Sequence, residues 1–352
     1  MTDLRSARSW VLAVTLTAVA SFCQSAFAQR ADQVFPMRGS TLTGAITEIA
    51  KTHVTINVRG SDQKVELIDI KRVTFAEEPA ELTRSRDNIL NGQLENGLAE
   101  LKRIDASAIQ RDFVKHELSY YIAYAQGKLA LTGGGDKAAA KQAMLAFVTE
   151  AKNSFHFFEA AQLLGDLAVA MESYDEAVKF YGAIAKLAPW PEFQLRSAVL
   201  EARALEAQGK FPEAMAKYDA VIANALDTAE ATRQKAMARI GKALGLAETG
   251  KADDGVKILE DIVAKGDAQD TELFGRAYNA LGRCHLKANR TKEALLAYLR
   301  VDLLFYAQPD VHAEALYHLT KLWPQVNRSD RAAAARALLT ERYSGSAWSK
   351  RS

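Results

Sequence analysis

Ser173-Tyr174-Asp175-Glu176-Ala177-Val178-Lys179-Phe180-Tyr181 comes back, altered, as Lys210-Phe211-Pro212-Glu213-Ala214-Met215-Ala216-Lys217-Tyr218. It comes back again as Arg290-Thr291-Lys292-Glu293-Ala294-Leu295-Leu296-Ala297-Tyr298. Each copy has a turn, an acidic residue, a small alanine, and an aromatic four residues after the alanine. A four-residue step keeps alanine and aromatic on one face of a helix. Self-similarity at intervals of tens of residues marks an array whose units bury their apolar faces against one another.

Working outward, two copies are preceded by a second signal. Leu164-Gly165 stands before Tyr174, and Tyr278 with Leu281-Gly282 stands before Ala294. These residues resemble the tetratricopeptide repeat (TPR), whose first helix carries Leu-Gly and whose second carries a small residue and an aromatic. One repeat has Leu164, Gly165, Tyr174, Ala177, Tyr181 and a terminal Pro189; another has Tyr278, Leu281, Gly282, Ala294 and Tyr298. Ala214 and Tyr218 mark a third.

The resemblance implies a mostly α fold, a solenoid of α-hairpins wound as a right-handed superhelix. In it the glycines allow close helix approach, the alanines sit at crossings, and Tyr181 and Tyr298 fill space against the next hairpin. The small position of the second helix maps to Gly97, Ala143, Ala177, Ala214, Gly255, Ala294 and Ala332. Only one of these intervals, from Ala143 to Ala177, equals the 34-residue TPR period, so loops or helices are longer than usual. Gly133-Gly134-Gly135 reads as an inserted turn, and Pro324 should stop the first helix of the last unit. The tail Glu341-Arg342-Tyr343-Ser344-Gly345-Ser346-Ala347-Trp348 resembles the closing motif of repeats in bacterial envelope proteins.

Before the repeats, the stretch from Thr41 to Phe75 alternates with period two. Leu42, Gly44, Ile46 and Glu48 share a parity; Val54, Ile56 and Val58 follow; Arg59 to Asp62 makes a turn; Val65 and Leu67 open a third strand; Val73 to Phe75 make a fourth. The order resembles small SH3-like or Sm-like barrels, implying a small β-barrel-like module over residues 29–78. Its charges balance and its only aromatics are Phe35 and Phe75, so it lacks the basic, stacking surface of a nucleic-acid binder. Pro79 is the boundary to the helical repeats of 79–352.

Arg5 and Arg8, the apolar run 10–20 and Ala26-Phe27-Ala28 compose a secretory signal over residues 1–28, with cleavage before Gln29. The apolar run falls short of the ~20 residues that span a bilayer. No transmembrane segment is expected after cleavage, and the expected address is extracytoplasmic, periplasmic or secreted, in a bacterium. Cys23 leaves with the signal, so Cys284 has no disulfide partner and reads as a small buried hydrophobe. The net charge of +2 over 352 residues gives no electrostatic reason to bind nucleic acid.

No motif carries catalytic chemistry. Gly133-Gly134-Gly135-Asp136 lacks the ending of a phosphate loop, and His312 and His318 lie six apart, facing different ways on one helix. No cofactor or metal is implied. The TPR resemblance implies recognition of a protein or peptide by the concave face, and its register places Arg196, Arg203, Arg276, Asn279 and Arg283 there, with Met237, Ile240 and Leu244 between the pairs. Arginine recurs seven apart in each pair, on one face, and could seat an acidic segment. The reading is therefore an exported, non-enzymatic scaffold. An accessory subunit of an envelope complex differs only in the partner; a cell-wall or glycan enzyme would need convergent carboxylates of perturbed pKa in the groove.

Overall fold

The computed structural model describes residues 31–351. The expected signal peptide, with Arg5, Arg8, Cys23 and the Ala26–Ala28 cleavage pattern, lies outside the described residues.

Five antiparallel strands come first: β1 (Asp32–Pro36), β2 (Leu42–Ile49), β3 (His53–Val58), β4 (Ser61–Glu66) and β5 (Ile70–Thr74), in the order β4-β3-β2-β1-β5. The alternation missed β1, in which only Val34 supplies a fully buried apolar side chain. The third hairpin is tighter than expected. Arg59 and Gly60, both at positive φ, make a two-residue turn, and β4 already pairs from Ser61. Leu67 falls in a 3-10 turn rather than a strand. The parity of β2 also breaks: a bulge between Ile46 and Glu48 turns Glu48 outward and brings Ile49 in.

Fourteen α-helices follow among the described residues. They pair as α1 (Ala80–Leu90) with α2 (Leu94–Leu101), α3 (Asp112–Thr132) with α4 (Lys137–Glu150), and α5 (Phe157–Ala170) with α6 (Tyr174–Leu187). Next come α7 (Pro191–Ala207) with α8 (Phe211–Ile222), α9 (Ala229–Glu248) with α10 (Ala252–Lys265), α11 (Thr271–Lys287) with α12 (Thr291–Leu304), and α13 (Pro309–Leu322) with α14 (Ser329–Tyr343). Every hairpin turns on a left-handed residue: Gly92, Gly133, Glu172, Gly209, Gly250, Asn289 or Asn327. That conformation ends a helix by letting the next amides reach back to its last carbonyls. Pro324 sits in a 3-10 turn directly after α13, as its missing amide dictates.

The repeat signature forms the core. Leu164, Ala177, Ala214, Leu281 and Ala294 are buried. A Cβ on Gly165 would stand 2.2 Å from the Tyr181 ring, and one on Gly282 would stand 2.5 Å from Tyr298. Each ring rests on bare helix backbone of its own hairpin and also meets the next one, as expected: Tyr298 stacks on His318 of α13, and Tyr181 shares a buried cluster with Leu200 and Ala204 of α7. Tyr218 crosses over as well, occupying the space beside Gly241 of α9. Tyr174 is half-buried at the start of α6, and Pro189 lies exposed just beyond its end. Two small-position assignments shift by one turn. Ala140 and Ala335 are the buried residues, four before Met144 and Leu339, while Ala143 and Ala332 are only half-buried.

Sheet and helices share one core, in which Val34, Ile56 and Val73 join Leu82, Leu101 and Leu118. At the other end the array returns to its beginning. Helix α13 touches α3, Lys137 Nζ donates to the Gly345 carbonyl at 3.0 Å, and Gly133 and Gly345 pack backbone to backbone. The first helices of six hairpins, α3 to α13, thus surround a channel rather than an open trough.

Candidate functional site

The channel wall is built from the inner faces of α3, α5, α7, α9, α11 and α13, and it is crowded with charge. Arg276 Nε donates to Glu272 at 3.0 Å and its Nη2 to Asp310 at 2.8 Å. Arg283 bridges α7 and α9, 3.5 Å from Glu206 and 3.4 Å from Glu248. Arg283 thus reaches past α9 to α7, and Met237 and Ile240 of α9 are buried. Arg196 donates to Gln162 on α5. Asn279 is buried and ties α11 to α13, donating to the Val311 carbonyl at 2.8 Å and to Glu314 at 3.2 Å. It is a fastener between helices.

Arg203 differs. It is half-buried, lies close enough to act on Glu206, Glu272 and Asp310, and makes no hydrogen bond or ion pair among the described residues. On α3, Lys128, whose ammonium rests 5.5 Å from the centre of the Tyr124 ring, also feels Glu272 and Asp310. The wall remains wet despite its density, since 60% of the Asp310 side chain is exposed.

The wall's carboxylates fall into two groups. Burial raises Glu314 and Glu206, although Arg283 opposes the rise in both. Burial would also raise Glu272 and Asp310, but Arg276 and Arg203 reverse it, holding Glu272 at about 2 and Asp310 below its ordinary value.

A second ionic chain, which nothing in the sequence signalled, joins the sheet to this channel. The Asp32 carboxylate accepts from the amides of Ile46 and Ala76 (both 2.7 Å) and takes both guanidinium nitrogens of Arg111 at 2.5 and 3.0 Å. Burial opposes its charge, but these donors hold its pKa below the usual carboxylate range. Deeper still, Arg86 donates to the Val73 carbonyl (3.2 Å) and Glu78 (2.8 Å) and lies 3.6 Å from Glu117. Glu117 meets His156 Nε2 at 2.8 Å, and the far ring nitrogen is 3.6 Å from Glu159, which accepts from Tyr120 at 2.6 Å. Burial alone would lower the imidazole's pKa; Glu117, with Glu159 behind it, lifts it to about 9. A sequence shows acids and bases, but not that Arg86, Glu117 and His156, 31 and 39 residues apart, will share a dry interior.

Cys284 is fully buried, and burial pushes its thiol up to about 11. His312 bonds Tyr343 and Asp302, whereas His318 stacks on Tyr298, so the two histidines serve separate packing contacts. Among the described residues no helix is long and apolar enough to cross a membrane.

No protein-family model and no curated protein matches the chain. Solved structures do. A tetratricopeptide repeat protein from Parabacteroides merdae aligns at 12% identity with a TM-score of 0.50, covering 74% of this chain and 91% of that one. A Rap protein complexed with competence and sporulation factor aligns at 11% identity and 0.49, covering 76% of each chain. The apo quorum sensor NprR from B. thuringiensis aligns at 12% and 0.45, covering 74% and 86%. The likeness to the first is one of fold: the helical array is TPR-like, preceded by a five-stranded antiparallel sheet.

Proposed function

We propose that the chain is an exported, non-enzymatic scaffold that holds an extended segment of a partner protein in its channel, with Arg203 receiving a carboxylate of that segment. The observation that carries this is Arg203 itself, a guanidinium on the inner wall with no acceptor among the described residues. A charge drawn out of bulk water gains most from a partner that supplies hydrogen bonds. Arg196, Arg276 and Arg283 already have acceptors and act as the frame around it. Export rests on the basic start, apolar run and Ala26-Phe27-Ala28. The strand order, with a 3-10 turn before β5, supports an SH3-like module, and its core continuous with α1 to α3 supports its role as the cap of the array.

A photo-reactive residue in place of Leu244, half-buried beside the channel, should capture a segment from the cell envelope, and one in place of exposed Lys179 should not. Arg203→Gln, which removes the charge without setting a further carboxylate beside Glu206, Glu272 and Asp310, should weaken binding of the captured segment tenfold or more, less so at 1 M salt where screening acts within ~3 Å. Unchanged affinity by calorimetry, with a native circular dichroism spectrum, overturns the role of Arg203. Arg283→Glu is a poorer probe, because it would leave Glu206 and Glu248 facing a third carboxylate.

A second reading draws on Asp310 and Glu314, one turn apart on α13, whose pKa values are displaced in opposite directions. If they cleave a glycan, Glu314→Gln abolishes turnover of cell-wall material; in a scaffold it leaves segment binding intact.

A further inference from the structure

The second helices form the outer surface of the array, and one of them breaks its pattern. Aligned on the buried small residue of each hairpin, Leu296, Leu303 and Leu304 of α12 correspond to Gln142, Thr149 and Glu150 of α4. In α6 they correspond to Lys179, Lys186 and Leu187, and in α10 to Lys257, Ala264 and Lys265. In α12 the outward positions are leucine, 59%, 67% and 64% exposed, and Tyr306 just beyond the helix is 56% exposed. Four large apolar groups so exposed make a patch on the order of 300 Å², in the range of the largest patch on a typical monomer, which is often functional.

We infer that this face of α12 is an interface between two copies of the chain, paired antiparallel about a two-fold axis near residues 299 and 300. The spacing favours a second copy as occupant. Leu296 and Leu303 lie seven apart on nearly one line of the helix, so a two-fold between them sets each against the other's counterpart. Arg300, nearest the axis, holds its guanidinium 5.2 Å from the centre of the Tyr278 ring, turned aside from the line of leucines. With a net charge of only +2, two copies are not driven apart. A standard interface of ~800 Å² per partner is ~57% apolar, and the leucine face with half-buried Leu299 supplies much of that. The surface is independent of the channel and of whatever the channel binds.

Sedimentation equilibrium of the full chain between about 1 and 100 µM tests it. The chain should reach a dimer in this range, and Leu296→Lys with Leu303→Lys should raise the dimer Kd by roughly 100-fold or more. Lysine already occupies both equivalent positions in α6, so the fold should tolerate the change, as an unaltered circular dichroism melt would show. In a Cys23→Ser background, Arg300→Cys should form a disulfide-linked dimer on oxidation, Cys284 being buried, and Lys179→Cys should not. A wild-type chain that stays monomeric overturns the inference. So does a dimer that survives the double substitution, or one in which Arg300→Cys crosslinks no better than Lys179→Cys. Binding of the chain to neutral phosphatidylcholine vesicles, abolished by the double substitution without any dimer in solution, would assign the face to lipid instead.

Discussion

Glu117→Ala should destabilise the protein by ~3–5 kcal/mol in a urea melt, because it strips the shared counterion from two cations held in a dry interior. Arg86 is 1% exposed and Glu117 4%, and His156 is buried against both Glu117 and the stacked ring of Tyr120. Arg86 retains Glu78, so the larger share of the loss falls on His156. Its folded pKa of about 9 lies above the ordinary 6.5. A group shifted upward stabilises the folded state fully below its unfolded pKa and loses that contribution as pH rises through the folded one. Wild-type stability should therefore decline from pH 6.5 to 9 by this route. In Glu117→Ala the decline over that window should flatten, because the imidazole no longer gains a proton on folding. Melts at pH 6.5, 7.5 and 9 would separate the two, and an equally steep decline in both proteins would show that His156 is not the titrating group.

Tyr181→Ala and Tyr298→Ala should each cost ~3–5 kcal/mol, against under ~0.5 for exposed Lys179→Ala. Both rings stand on glycine backbone, so truncation leaves a void that helices already at closest approach cannot fill. The hydroxyls divide the pair further. Tyr181 donates to Asp166 at 2.8 Å, and Tyr298 has no partner for its buried hydroxyl among the described residues. Tyr181→Phe should then cost ~1 kcal/mol, whereas Tyr298→Phe should be neutral or stabilising. Equal losses for the two phenylalanine variants would contradict that assignment.

The repeat register was legible because it depends on local rules. Gly165 with Tyr181 and Gly282 with Tyr298 recur at a fixed interval, and the left-handed turn residues recur between their helices. The sheet was only partly legible. Strand β1 lacks alternation, and what anchors it, Asp32 on two amides and Arg111, spans 79 residues of chain.

By itself the sequence determined the hairpins, their turns, the small residues where helices touch, and which faces must be buried, since helix period and glycine geometry act over a few residues. Only the tertiary structure decided that α13 returns to α3 and encloses a channel. Small rotations between hairpins accumulate over six units, and none is written in any one repeat. The same closure decided the state of the arginines. Arg196, Arg203, Arg276 and Arg283 look alike as letters, yet curvature carried acceptors to three of them and left Arg203 without one. Coulomb energy depends on distance through space, and distance along the chain does not give it.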